Sequence, residues 1–154
     1  SNRTIEKTKE IFTASGASIV NVKKEIDGFI LNRLQGALLN EAMRLYSDGY
    51  ASSDEIDATI RDGLGLRWAF MGPFETIDLN APGGIKDYIS RYGPIFVEMA
   101  KNQTKIPDWS EEAGKKLELE RRKILSHDKL EDRAKKRNQL LKSLRKVKID
   151  NGEA

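Results

Sequence analysis

A nearly all-round apolar run from Gly28 to Tyr46 sets the frame for any fold of this chain. Ile30, Leu31, Leu34, Leu38, Ala42, Leu45 and Tyr46 go most of the way round a helix, the pattern of a central, largely buried one. Asp27 is suited to cap its start and Gly49 to end it, which predicts a helix of roughly twenty residues. Gly28, Asn32, Gly36 and Asn40 follow one another at four-residue spacing as a stripe of small residues. Gly36 costs about 1 kcal/mol of helix propensity, a cost that a close-packed neighbour would explain. Asn32 and Arg33 sit between Ile30/Leu31 and Leu34 in the second turn. Polar groups in such a setting need partners, so this helix is expected to meet a ligand, another domain or a second subunit.

The rest of the chain reads as mostly helical. Thr4 to Ala14 predicts a short helix ended by Gly16, and Ala17 to Val22 alternates loosely, as a strand does. A lone strand cannot satisfy its own backbone, so helix and strand together look like the last piece of a sheet domain. Ser52 with Glu55 is a capping-box signature. It starts a helix through Ile56, Ile60 and Leu64 that is expected to stop near Gly63-Leu64-Gly65, leaving Arg67 in a glycine-rich loop. Pro73 suits the first turn of a helix to Asn80, and Ala81-Pro82-Gly83-Gly84 breaks it. Two helical pieces, Ile85–Tyr92 and Pro94–Asn102, are expected to hinge at Gly93-Pro94. After Pro107-Asp108-Trp109-Ser110 come two charged helices, roughly Glu111–Leu125 and Asp128–Val147.

Composition narrows the function classes. Apolar residues make up 38% and charged residues 33%, which fits a helix-rich protein with a highly charged surface. Cysteine is absent, which excludes disulfides and thiolate metal sites and suits the cytoplasm. No apolar run approaches the roughly 18 to 20 residues of a membrane helix, and no membrane partner is expected. The net charge of +3 hides an asymmetry: Lys115 to Lys148 holds fourteen Lys/Arg against five Asp/Glu, the remainder thirteen against nineteen. The basic segment interleaves no aromatic residues, and Leu117, Ile124, Leu130, Leu140, Leu141 and Leu144 give it apolar faces. A solvated helical surface that docks on the body or on a second subunit is the better reading, and no nucleic acid is expected.

No G-x-G-x-x-G and no P-loop occur, so the chain has no nucleotide-phosphate cradle. The one histidine, His127, lies between charged helices and reads as a solvated connector residue. No His/Cys/Asp cluster has metal spacing, so no metal site is expected. Ser1-Asn2 has the look of a tag-cleavage scar.

Two runs carry a resemblance. Val22-Lys23-Lys24-Glu25-Ile26-Asp27-Gly28-Phe29-Ile30-Leu31-Asn32-Arg33-Leu34 resembles the start of the C-terminal domain of L-3-hydroxyacyl-CoA dehydrogenases. Met71-Gly72-Pro73-Phe74-Glu75 is similar to the M-G-P-F-E segment of the same domain. The resemblance covers about Thr4 to Asn102 well and the basic tail loosely. It implies an all-α C-terminal domain that closes the substrate cleft and forms a homodimer. NAD and the catalytic His–Glu pair would lie in an N-terminal Rossmann domain outside this chain. The family's catalytic-site asparagine falls on Asn32, where an amide can donate and accept without titrating.

Gly65-Leu66-Arg67-Trp68-Ala69-Phe70-Met71-Gly72-Pro73 is longer than the fatty-acyl branch's G-A-G-Y-P-M-G-P-F-E and carries an arginine. It looks more like the lambda-crystallin/L-gulonate 3-dehydrogenase branch and the related carnitine dehydrogenases. The resemblance implies a substrate-binding role for Arg67, whose guanidinium fork suits a free carboxylate.

The expected organisation is residues 1–24 as a remnant of the NAD-binding domain and linker, 25–106 as the helical dehydrogenase core, and 107–154 as a basic helical tail. The expected function is the cleft and dimerisation domain of an NAD-dependent enzyme. That enzyme oxidises the 3-hydroxyl of an acyl-CoA or of a small 3-hydroxy acid, and the fragment alone is inactive. The alternative is a free-standing helical interaction module with a basic, nucleic-acid-binding tail.

Overall fold

Helices supply every regular element among the described residues, 2–153, of the computed structural model. In chain order they are α1 (Asn2–Ala14), α2 (Phe29–Ser47), α3 (Ser53–Ala58), a π-helical turn (Thr59–Leu64), α4 (Gly65–Trp68), α5 (Pro73–Leu79), α6 (Gly84–Asn102), α7 (Glu111–Ile124), a 3₁₀ turn (His127–Lys129) and α8 (Leu130–Asp150). The all-α class holds. The expected strand at Ala17–Val22 does not form; no other strand is present among the described residues to pair with it, and an extended segment without a partner leaves its amides to water.

Two compact units divide the chain. One joins the stretch up to Gln35 with the stretch from Asp132 onward, and the other spans Gly36–Glu131. In the first, Arg145 Nη2 donates 2.8 Å to the carbonyl of Gly16, the residue that ends α1 at φ +77°.

In the second unit, the later turns of α2 face α3 and the π turn. Leu38, Ala42 and Leu45 line a small groove of about 190 Å³ with Ile56 and Ile60, and Met43 is buried. The Ser52–Glu55 capping box is complete. The Ser52 hydroxyl accepts from the Glu55 amide at 3.3 Å, and the Ser52 amide donates to Glu55 Oε2 at 2.8 Å. Next to it, Ser53 is 7% exposed and donates both its amide and its hydroxyl, each at 2.8 Å, to Glu120 Oε1 on α7. Tyr46 on α2 shares the same carboxylate, and Arg121 reaches Asp57 at 3.2 Å. Trp109 Nε1 donates to Asn40 Oδ1 at 3.1 Å and ties the linker before α7 back to α2. So Asn40, one of the stripe of small residues, is a hydrogen-bond acceptor.

Two expected breaks are absent. The helix begun at Ser53 does not stop at Gly63-Leu64-Gly65. Leu64 and Gly65 keep right-handed helical angles, and the Gly65 amide reaches five residues back to Ile60. Nor does Gly93-Pro94 divide α6, which is continuous with Pro94 inside it. Proline removes one amide bond there. The Tyr88–Phe96 ring contact, 6.3 Å between centroids, spans the gap, and Tyr88 also meets Tyr92 at 4.7 Å ahead of it.

Hydrogen bonds from Ser53 and from Tyr46 hold the Glu120 carboxyl below its ordinary pKa, the Ser53 side-chain bond contributing most. Its stabilisation is therefore present above the unfolded carboxyl range and is lost as pH falls through the folded pKa. Glu120→Gln is expected to lower the melting temperature at pH 7 and to melt like the parent at about pH 2. Calorimetry at both pH values checks this.

Candidate functional site

Asn32 lies in the first turns of α2, within the unit formed with the chain ends, and Arg67 lies on α4 in the Gly36–Glu131 unit. Each is described in its own surroundings.

The approach to Asn32 is fixed by two left-handed residues in succession, Gly28 at φ +79° and Phe29 at φ +48°. A bulky residue in that region stores strain of about 1 to 3 kcal/mol. The reward is a sharp turn directly into the helix: residue 28 comes back over its first turn, and a Cβ there would sit 3.6 Å from the Asn32 Cβ. Asn32 is exposed, and its amide has no hydrogen-bond partner among the described residues. The apolar residues around it, Ile30, Leu31 and Leu34, are exposed too. The helix expected to be buried on nearly every side is thus uncovered in its first turns, and the polar group within it is unsatisfied by this chain.

Arg67 is on a helix rather than in a loop. Leu66, Trp68 and Phe70 beside it are exposed apolar residues. Among the arginines of its unit it stands apart. Arg44 pairs with Glu41 at 2.7 Å, Arg61 with Asp62 at 2.7 Å, Arg91 with Asp87 at 2.7 Å, Arg121 with Asp57 at 3.2 Å and Arg122 with Glu118 at 2.9 Å. Arg67, the remaining arginine of Gly36–Glu131, has no carboxylate or hydrogen-bond partner among the described residues. A guanidinium without an internal partner keeps its fork of donors free for a carboxylate.

The segment after it is well fixed. Gly72 is extended, Pro73 occupies the first turn of α5, and Thr76, 6% exposed, donates its hydroxyl to the Gly72 carbonyl at 2.8 Å. At the far end of α5, Asp78 Oδ1 accepts from the Ile85 amide at 2.6 Å, and Asp87 accepts from the Gly83 amide at 3.2 Å. The Arg91 side-chain bond, first, holds the Asp87 carboxyl below its usual range. His127 is exposed in its 3₁₀ turn.

Sequence reasoning missed the strained Phe29 and the π turn ahead of Arg67. Nothing in the sequence announces a left-handed phenylalanine. The π turn did leave a signal. Arg67 comes seven residues after Ile60, so an unbroken α-helix would carry a charge on its apolar face.

Comparison with known proteins gives the relationship. The family model described as 3-hydroxyacyl-CoA dehydrogenase, C-terminal domain, matches residues 28–127. Lambda-crystallin of Oryctolagus cuniculus is 40% identical over 147 residues, covering 94% of this chain and 46% of that protein. The lambda-crystallin homolog of Bos taurus is 41% identical over 114 residues, 74% of this chain and 35% of the relative. An L-carnitine dehydrogenase of Pseudomonas putida is 46% identical over 93 residues, 60% of this chain and 29% of the relative. The chain thus spans less than half the length of these curated relatives.

Phe29→Gly is expected to stabilise the isolated chain by up to about 1 kcal/mol. Glycine removes the left-handed penalty of about 1 to 2 kcal/mol and gives part of it back as unfolded-chain entropy. Urea unfolding reads the difference.

Proposed function

The chain belongs to the 3-hydroxyacyl-CoA dehydrogenase family as its C-terminal domain, and we propose that it is the substrate-cleft and dimerisation part of an NAD-dependent dehydrogenase acting on a small 3-hydroxy acid. The open guanidinium of Arg67 carries the choice of substrate. A carboxylate seated there gains a charge-assisted, two-point contact of roughly 1.5 to 3 kcal/mol. An acyl-CoA thioester offers no carboxylate at that position. The name of the L-carnitine dehydrogenase relatives points the same way, since L-carnitine is a 3-hydroxy acid with a free carboxylate.

Within that reading the residues of this chain bind and orient. Arg67 holds the acid. Asn32 hydrogen-bonds near the reacting 3-hydroxyl with an amide that serves as donor and acceptor at any working pH. The chain's own residues do not fit NAD: there is no glycine-rich phosphate loop, and no strand to lead into one among the described residues. The cofactor and the general base then belong to an N-terminal Rossmann domain, and this fragment alone is inactive. Residues 1–24 are the remnant of that domain and its linker, 25–106 the helical core, and 107–154 a basic helical tail.

A second copy of the chain is the partner proposed for α6. Ile85, Ile89, Tyr92, Phe96 and Met99 repeat at helical spacing along it and are exposed. An apolar stripe of this kind is what a symmetric interface covers. Light scattering is expected to give a dimer mass for the isolated chain, and Phe96→Glu a monomer mass.

The substrate reading is tested in the full-length enzyme. Arg67→Gln should lower kcat/KM for a hydroxy acid by about ten- to a hundredfold, at 1.4 kcal/mol per decade. Asn32→Ala should lower kcat for every substrate, because it acts at the reacting carbon. Unchanged hydroxy-acid kinetics in Arg67→Gln would return the choice to acyl-CoA.

A further inference from the structure

The π turn lies immediately ahead of Arg67, and one glycine permits it. Ser53 to Trp68 is a single right-handed helical path in which Thr59–Leu64 is wound wider than an α-helix. The wide turn closes with the Gly65 amide on the Ile60 carbonyl. A Cβ on residue 65 would meet that same carbonyl oxygen at 2.9 Å, a separation real Cβ atoms do not adopt. Any side chain larger than hydrogen therefore opposes the five-residue bond.

Counting residues gives the register. Ile56 and Ile60 point into the groove lined by Leu38, Ala42 and Leu45. In an unbroken α-helix the residue eleven after Ile56 and seven after Ile60 returns to their face at about 100° per residue. That residue is Arg67. The π turn inserts one extra residue, so the inward position passes to Trp68. The exposures agree: Trp68 is 40% exposed, against 65% for Leu66, and Arg67 is exposed without a partner among the described residues.

We propose that the π turn closed on Gly65 sets the register that turns Arg67 out of the helix core toward the substrate carboxylate, making Gly65 a positioning residue for substrate specificity. The inference rests on the reading of Arg67 given under Proposed function. π turns inside α-helices recur at functional sites for the same geometric reason: they re-aim the residues beyond the turn without breaking the helix.

The test uses three variants of the full-length enzyme, with L-carnitine and a short 3-hydroxyacyl-CoA as the substrates assayed. Gly65→Ala should push the helix into α register and swing Arg67 by about 100° toward the buried face. The expected result is a KM for the hydroxy acid raised about tenfold with kcat little changed, the signature of lost uniform binding. Deleting Gly63, which is exposed with open space about it, removes the extra residue. Gly65→Ala combined with that deletion is α-helical throughout with Arg67 again facing out, and should recover the parent KM. A merely structural role for Gly65 would not be rescued by shortening the helix. An unchanged KM in Gly65→Ala, or no recovery in the combined variant, overturns the proposal; if Gly65→Ala alone does not fold, the combined variant decides. Arg67→Gln separates the two readings. If it leaves KM unchanged, the carboxylate contact itself is absent and both fall. If it raises KM while Gly65→Ala does not, only the register argument falls.

Discussion

Apolar surface that the chain does not cover governs the rest of the structure. The only buried hydrophobic residues among those described are Met43, Ala81 and Ala113, and no large side chain is fully enclosed. The chain exposes 12832 Å², whereas a folded monomer of its mass would expose roughly 7,900 Å². Two separately folded bodies of the same total mass would expose roughly 9,400 Å², so the excess does not depend on how the two units are placed. At about 25 cal/mol per Å², leaving such faces open forgoes the main favourable term of folding. The exposed stripes on α6 and at the start of α2 are the faces on which the proposed subunit and domain contacts would bury that surface.

With so little core, directional contacts carry much of the order in the Gly36–Glu131 unit. Glu120 gathers donors from α2 and α3 on one carboxylate, Asn40 accepts the Trp109 indole, and Asp78 accepts the amide of Ile85 at the start of α6. These bonds fix where α7 and α6 run relative to α2 and α5. Most are partly exposed, and a net hydrogen bond is worth only about 0.5 to 1.5 kcal/mol. They specify an arrangement more than they stabilise it.

Local chemistry was the part of the fold written plainly in the sequence. The Ser52–Glu55 box, Pro73 at the start of α5 and the break at Ala81-Pro82-Gly83-Gly84 each depend on a few neighbouring residues, and each is present as expected. Glycine and proline misled where tertiary context overrode them. Gly63 and Gly65 looked like a stop, and instead both lie in a continuous helical path whose wide turn closes on Gly65. Gly93-Pro94 looked like a hinge and lies inside one continuous helix, spanned by the Tyr88–Phe96 ring contact. The segment at Ala17–Val22 alternates like a strand, yet a strand is a property of two segments, and no second one is present among the described residues. Of the candidate site, Asn32 and Arg67 were singled out only through the resemblance carried by the paired runs around Asn32 and Met71. That Arg67 sits on a helix beyond a π turn was not legible, because the wide turn depends on tertiary context rather than on a local sequence signal.

Charge is distributed so that one guanidinium stays open. The Gly36–Glu131 unit places a carboxylate against every arginine but Arg67, and acidic residues are to spare, since outside Lys115–Lys148 the chain carries thirteen Lys/Arg and nineteen Asp/Glu. An unpaired guanidinium in such surroundings is not a shortage of partners. Among exposed groups a pair contributes little, about 0 to 1 kcal/mol, so leaving Arg67 open costs the fold almost nothing. For the substrate carboxylate proposed there, an internal partner would cost far more, because the incoming acid would first have to displace it. The unit keeps its ordinary arginines tied to carboxylates and leaves open the one flanked in sequence by Leu66, Trp68 and Phe70, apolar neighbours beside which a charge contact would be less screened than in open water.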